Sequence, residues 1–169
     1  MFLAGTFELT IDGKNRLSIP FPIRRKLDAE RDGHSFYVVP GRRRRTLSLY
    51  PEKHYEKLRD KVPADDRLSD DTYEYRQWEY SQSALLDPDT QGRILIPERL
   101  LKRAGLDKEV ALIAVRDHLE LWNRKEFDKF ESGMWEAYPE KRTNAVRESE
   151  ALTKDGNHKA ATSADESGR

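Results

Sequence analysis

Ile11-Asp12-Gly13-Lys14-Asn15-Arg16-Leu17-Ser18-Ile19-Pro20 returns later in the chain as Pro88-Asp89-Thr90-Gln91-Gly92-Arg93-Ile94-Leu95-Ile96-Pro97. Both stretches read Asp-x-x-x-Arg-apolar-x-Ile-Pro, with Asp12 aligned on Asp89 and Arg16 on Arg93. The echo continues downstream. Phe36-Tyr37-Val38-Val39 followed by Leu47-Ser48-Leu49-Tyr50 is answered by Val110-Ala111-Leu112-Ile113 followed by Leu119-Glu120-Leu121-Trp122. The first copy carries a short insertion, most simply between Asp28 and Arg45. A motif repeated together with its downstream strands marks a duplicated structural unit.

Outward from the first motif the chain alternates like a strand, with Phe7, Leu9 and Ile11 on one face, then Leu17 and Ile19 after the polar turn Asp12 to Arg16. Pro20 and Pro22 end the second strand, since proline supplies no ladder donor, and Pro22 can open a short helix through Leu27. Strands are expected at Phe36 to Val39 and Thr46 to Tyr50, joined by Pro40-Gly41 and the run Arg42-Arg43-Arg44-Arg45. Pro51 begins a helix with Tyr55, Leu58 and Val62 on one face. Pro63 to Arg67 reads as a loop, and Ser69 or Asp70 as the cap of a helix carrying Tyr73, Tyr75, Trp78 and Tyr80. Aromatic residues at this spacing usually pack a core, and that is the expectation here.

The second unit repeats the order: strands Ala84 to Leu86 and Ile94 to Ile96, a helix Glu98 to Arg103 closed by Gly105, then strands Val110 to Val115 and His118 to Trp122. Asn123 with Glu126 caps a further helix bearing Phe127, Phe130 and Met134. From Pro139 the chain is polar, with little to offset its ordering entropy, and is expected to be a disordered tail. The division is therefore 1–55 for the first unit, 56–81 for a helical connection, 82–127 for the second unit, 128–138 for a helix end and 139–169 for the tail.

The chain has 169 residues, so each unit is small and neither is comfortable alone. Its 31 basic and 31 acidic residues cancel, but residues 1 to 50 hold ten basic against five acidic. The absence of cysteine removes disulfides, thiolate nucleophiles and cysteine-based zinc sites. No apolar run is long enough for a bilayer span and the N-terminus lacks a leader pattern, which points to a soluble cytoplasmic protein without a membrane partner.

In each Asp-x-x-x-Arg turn a carboxylate can reach across the connection and orient the guanidinium. A planar, permanently charged donor fork held in this way suits phosphate oxygens or the N7 and O6 edge of guanine. A single such turn would be read as a hairpin staple. Two copies in matched contexts favour a functional role.

These two motifs, their order, and the aromatic-ended strand after each resemble the MraZ family, over roughly Met1 to Trp135. That resemblance implies a mainly β fold with short helices, an α+β arrangement built as a duplicated AbrB-like swapped-hairpin β-barrel. It further implies a ring homo-oligomer that binds short direct repeats in double-stranded promoter DNA. The protein would then be a nucleoid-associated transcriptional regulator, a repressor of the division and cell-wall gene cluster including its own promoter. Residue by residue, the DNA-facing positions fall on Asp12, Lys14, Asn15 and Arg16 and on Asp89, Gln91 and Arg93. Asn15 stands where the family pattern has glycine; asparagine tolerates the positive φ such a turn requires.

Other signals are weaker. Asp87 to Glu98 mimics a calcium loop, but Gln91 and the flanking strand-like residues violate its requirements. His34, His54, His118 and His158 show no ligand-like pair, so no metal or other cofactor is expected. Arg42 to Arg45 is either a solvated hairpin tip or a nonspecific DNA contact. Enzyme motifs are missing, and no catalytic residue is assigned. The rival reading is an oligomeric protein-interaction scaffold whose Asp–Arg turns hold subunits together.

Overall fold

The computed structural model describes residues 2–62 and 68–166, with side chains as far as residue 153; the loop expected at 63–67 lies outside the described residues. The first unit opens with strands β1 (Leu3–Thr10) and β2 (Arg16–Ser18) and helices α1 (Phe21–Arg24) and α2 (Ala29–Asp32). Strands β3 (Phe36–Pro40) and β4 (Thr46–Pro51) complete it. Helices α3 (Glu52–Arg59) and α4 (Asp70–Ser81) lead to the second unit. There β5 (Ala84–Leu86), β6 (Arg93–Leu95), α5 (Glu98–Ala104), β7 (Glu109–Arg116) and β8 (His118–Asn123) repeat the order, before helix α6 (Arg124–Glu166).

Each unit completes the other. The large sheet runs β1-β7-β8-β4-β3-β5 and the small one is β2-β6, so the first strand of each unit pairs with a strand of its counterpart. The pairings are antiparallel throughout. They obey a pseudo-twofold axis: Leu47 pairs Leu121 as Leu49 pairs Leu119, and in the ribbon Leu17 faces its own counterpart Ile94. Strand exchange follows from the smallness of each unit. A lone β1 or β5 would leave its apolar face in water, and the nearest complementary surface belongs to the other copy.

The core is correspondingly symmetric. Leu17, Ile19, Ile94 and Ile96 are fully buried beneath the sheet leucines Leu47, Leu49, Leu119 and Leu121. Full burial of such a side chain is worth about 1.5–3 kcal/mol relative to exposure. Ile23 of α1 and Leu100 of α5, again equivalent positions, close the two ends.

The expected mainly β, α+β architecture is present, with one difference: the sheet is open and no barrel closes. β1 and β5 are its two edges, and β2-β6 stands apart as a ribbon. Both ribbon strands span three residues, and a proline, Pro20 or Pro97, follows closely. The ladder therefore runs out of donors before it can join the larger sheet. The insertion in the first unit divides in two: α2 ahead of β3, and a β3–β4 hairpin longer than the turn between β7 and β8.

The C-terminal segment also departs from expectation. Residues from Asp128 onward form a separate unit, and α6 continues as helix through Glu166 with Pro139 inside it, where the polar composition predicts a disordered tail. Its Glu, Lys, Arg and Ala content favours helix over coil even where no apolar face is available. Scarcity of apolar residues speaks to burial and is silent on this local preference. The cap at Asn123 is as expected, its side-chain oxygen accepting from Lys125 N at 3.0 Å.

Candidate nucleic-acid interface

The two motif turns have the same construction. In the first, Asp12 Oδ1 accepts from the amides of Lys14 at 2.8 Å and Arg16 at 3.0 Å, while Oδ2 accepts from Arg16 Nε and Nη2, each at 2.7 Å. In the second, Asp89 Oδ1 accepts from Gln91 N at 2.9 Å and Arg93 N at 3.0 Å, and Oδ2 from Arg93 Nε at 2.8 Å and Nη2 at 2.6 Å. Asn15 at φ 59° and Gly92 at φ 76° supply the left-handed residue that lets each chain double back. The amides of Asn15 and Gly92 close each turn onto Asp12 O and Asp89 O. The arginine's side-chain hydrogen bond, reinforced by its backbone amide, lowers each aspartate from 3.8 to about 2. Carboxylates held so low are permanent acceptors that orient an arginine; they are unsuited to proton transfer near neutrality.

The ribbon places both arginines on one outward surface. Leu17 and Ile94 point into the core, so their neighbours Arg16, Ser18, Arg93 and Leu95 take the opposite face. Arg16 is paired with Leu95 and Arg93 with Ser18, a diagonal relation that brings equivalent positions to roughly 7–8 Å on a shared face. Each guanidinium is partly exposed, and its Nη1 makes no hydrogen bond among the described residues. A two-stranded ribbon with a pair of aimed guanidiniums has the dimensions to approach a major groove.

One participant is not evident from the motifs. Arg24 of α1 donates from Nε to Ile19 O at 3.0 Å and lies against Gly92, where a Cβ would come within 2.7 Å of its Cδ. It also covers the exposed ring of Phe21, at 5.8 Å from the centroid. Arg24 therefore brings a second guanidinium to the second turn, although it belongs to the first unit. Leu101, buried, stands at the equivalent position in the sequence of the second unit. The sequence signal is the pairing of Gly92 with Arg24 against Asn15 with Leu101, which only the swapped topology makes meaningful.

The other candidate groups lie elsewhere. Arg42 to Arg45 form the β3–β4 hairpin and do not join the ribbon. His54 and His118, which show no ligand-like spacing in the sequence, both reach Asp117, at 3.3 Å and 2.7 Å, and His118 stacks on Tyr50. Tyr73, Tyr75, Trp78 and Tyr80 are 47%, 57%, 50% and 45% exposed, so the expectation of a packed aromatic stripe is corrected. α4 buries Glu79 instead, which pairs with the half-buried Arg59 of α3 at 2.8 Å. Among the described residues no His, Asp and Glu cluster of metal-binding type occurs, and no helix is long and apolar enough to cross a membrane.

A strand-exchanged tandem of two β units, carrying paired arginine turns on a two-stranded ribbon, defines the class as a duplicated α+β protein. A family profile described as "MraZ protein, putative antitoxin-like" matches residues 2–75 and 80–148, and the chain belongs to that MraZ family. Relatives bearing the name transcriptional regulator MraZ include one from Mycoplasma mobile, 30% identical over 125 residues, covering 74% of this chain and 82% of the relative. Another, from Carboxydothermus hydrogenoformans, is 30% identical over 140 residues, covering 83% and 93%. A third, from Marinobacter nauticus, is 29% identical over 126 residues, covering 75% and 84%. These names describe a regulator and no catalytic activity.

Proposed function

We propose that this chain is a cytoplasmic, nucleoid-associated transcriptional regulator that binds double-stranded promoter DNA through the β2-β6 ribbon. Arg16 and Arg93 read or clamp the duplex, Asp12 and Asp89 orient them, and Lys14, Asn15 and Gln91 shape and supplement the turns. The units at 1–55 and 82–127 act as the two DNA-engaging repeats, joined by the helical segment 56–81. The observation that carries this reading is the pseudo-symmetric pair of prealigned guanidiniums on one exposed face. The regulatory name of the relatives supports it. In the finer form implied by the family resemblance, a ring of subunits engages short direct repeats and represses a division and cell-wall cluster that includes its own promoter. A small contact surface per subunit makes such multivalency the natural source of affinity.

The test is a salt-controlled mobility-shift titration on its own promoter, with fragments holding one, two and three repeat boxes. Wild type should bind more tightly with each added box. Arg16→Ala should lose specific binding, because each lost bidentate contact removes about 1–3 kcal/mol of discrimination in every engaged subunit. Equal affinity for all fragments would refute the ring, undiminished binding by folded Arg16→Ala would refute the role of the first turn, and a wild type without specific promoter binding would favour the protein-interaction scaffold.

A further inference from the structure

The β3–β4 hairpin and helices α4 and α5 line an open cavity of about 680 Å³ that the ribbon chemistry does not use. Its lining contains five arginines, Arg42 to Arg45 from the hairpin and Arg103 from α5, and no carboxylate among the described residues. Tyr75 and Trp78 form an aromatic wall, their rings 6.1 Å apart and tilted by 37°, with half of each side chain exposed.

The hairpin that carries these arginines has a fixed shape. Gly41 N donates to Thr46 O at 2.9 Å, and Thr46 Oγ1 donates to Arg43 O at 2.8 Å. A Cβ at Gly41 would come within 2.0 Å of Thr46 Oγ1, so only glycine fits. Arg45 adopts φ 61°, a left-handed conformation unusual for a long side chain. Arg43 sits 5.7 Å over the Trp122 ring, and Arg103 donates to Gln82 Oε1, which fixes the cationic rim at two further points. The equivalent turn of the second unit, at Arg116 and Asp117, is shorter and lacks the arginine run.

Clustered positive charge beside a flat aromatic surface recognises a ligand having both opposites: an aromatic ring and several negative charges. The number of guanidiniums exceeds what one phosphate monoester can engage. The volume lies within the range of small-molecule sites. We propose that this cavity binds a nucleoside polyphosphate, with the base against Trp78 and Tyr75 and the phosphates on Arg42, Arg44, Arg45 and Arg103. This assignment uses no ribbon residue and does not depend on promoter binding.

Isothermal titration of the full chain tests it, using ATP, GTP, inorganic tripolyphosphate, adenosine and a short single-stranded oligonucleotide. The nucleoside triphosphates should bind saturably, tripolyphosphate about tenfold more weakly for want of stacking, and adenosine without measurable heat. Trp78→Ala should bring the nucleotides down to the level of tripolyphosphate. The double variant Arg42→Ser with Arg44→Ser should weaken both by at least about tenfold. Arg16→Ala should leave nucleotide binding unchanged. Trp78, Arg42 and Arg44 are exposed, so these variants keep the fold, which circular dichroism verifies. Absence of binding by both triphosphates, binding by the oligonucleotide alone, wild-type affinity in the pocket variants, or loss in Arg16→Ala would each overturn the proposal.

Discussion

Two residues in equivalent positions show how one backbone need is met differently. Gly92 and Asn15 both occupy left-handed φ in their turns, and Gly92 has the Arg24 side chain pressed against it. Gly92→Ala should therefore cost about 1–2 kcal/mol for the backbone alone, plus displacement of Arg24. Asn15→Gly should be nearly neutral, because the turn conformation already suits either residue. Gly13, where an added Cβ would meet nothing within 4 Å and φ is not positive, is the harmless control for alanine substitution. Thermal unfolding of the three variants checks this order, and a Gly92→Ala protein as stable as wild type would refute it. The aspartates respond to acid with a definite sign. Their folded value of about 2 lies below the ordinary 3.8, so their contribution is complete above the latter and vanishes as pH falls through the former.

At the scale of elements, the turn between β7 and β8 is tied to α3 through His54, Asp117 and His118. Burial of His118 opposes its charged form, but hydrogen bonds to Glu120 and Asp117 prevail and raise it above 6.5. The neighbouring Tyr50, stacked on this histidine, is itself raised by burial. Glu120, bonded to His118 and to Trp122 Nε1, moves the other way, below 4.5. The cationic histidine therefore stabilises the fold fully below 6.5 and loses that contribution as pH rises through its higher folded value. The carboxylate contribution is present above 4.5 and disappears in acid. Wild type should melt about 1–4 °C higher near pH 6 than near pH 8.5. His118→Gln should remove most of that difference, and an unchanged pH dependence in this variant would contradict the account.

For the whole unit from Met1 to Phe127, strand exchange means that neither half contains all of its own strand partners. β1 needs β7, β2 needs β6, and β5 needs β3. Residues 1–62 or 68–127 expressed alone should be unfolded or aggregated. Mixing the two fragments should restore the far-ultraviolet signature and a cooperative transition. A separately folded half, with native-like melting, would show that the duplication preserves two independent domains. The same topology gives the ribbon its role: its buried face fuses the halves, leaving its other face free to carry arginines from both.

The sequence by itself determined the duplication, most strand positions and the Asp–Arg pairing, because these depend on local spacing: alternation at period two, prolines that end ladders, and a carboxylate four residues before a guanidinium. It also located the insertion in the first unit. Tertiary structure alone decided that the sheet stays open, that Arg24 crosses to the second turn, and that the aromatic residues of α4 face outward while Glu79 turns in. Each of these depends on a partner far away in the chain. Periodicity shows that a helix has a face but cannot say which face a distant arginine will claim. The polar C-terminal segment shows the converse limit, since helix propensity acts locally and a reading based on burial alone passes over it.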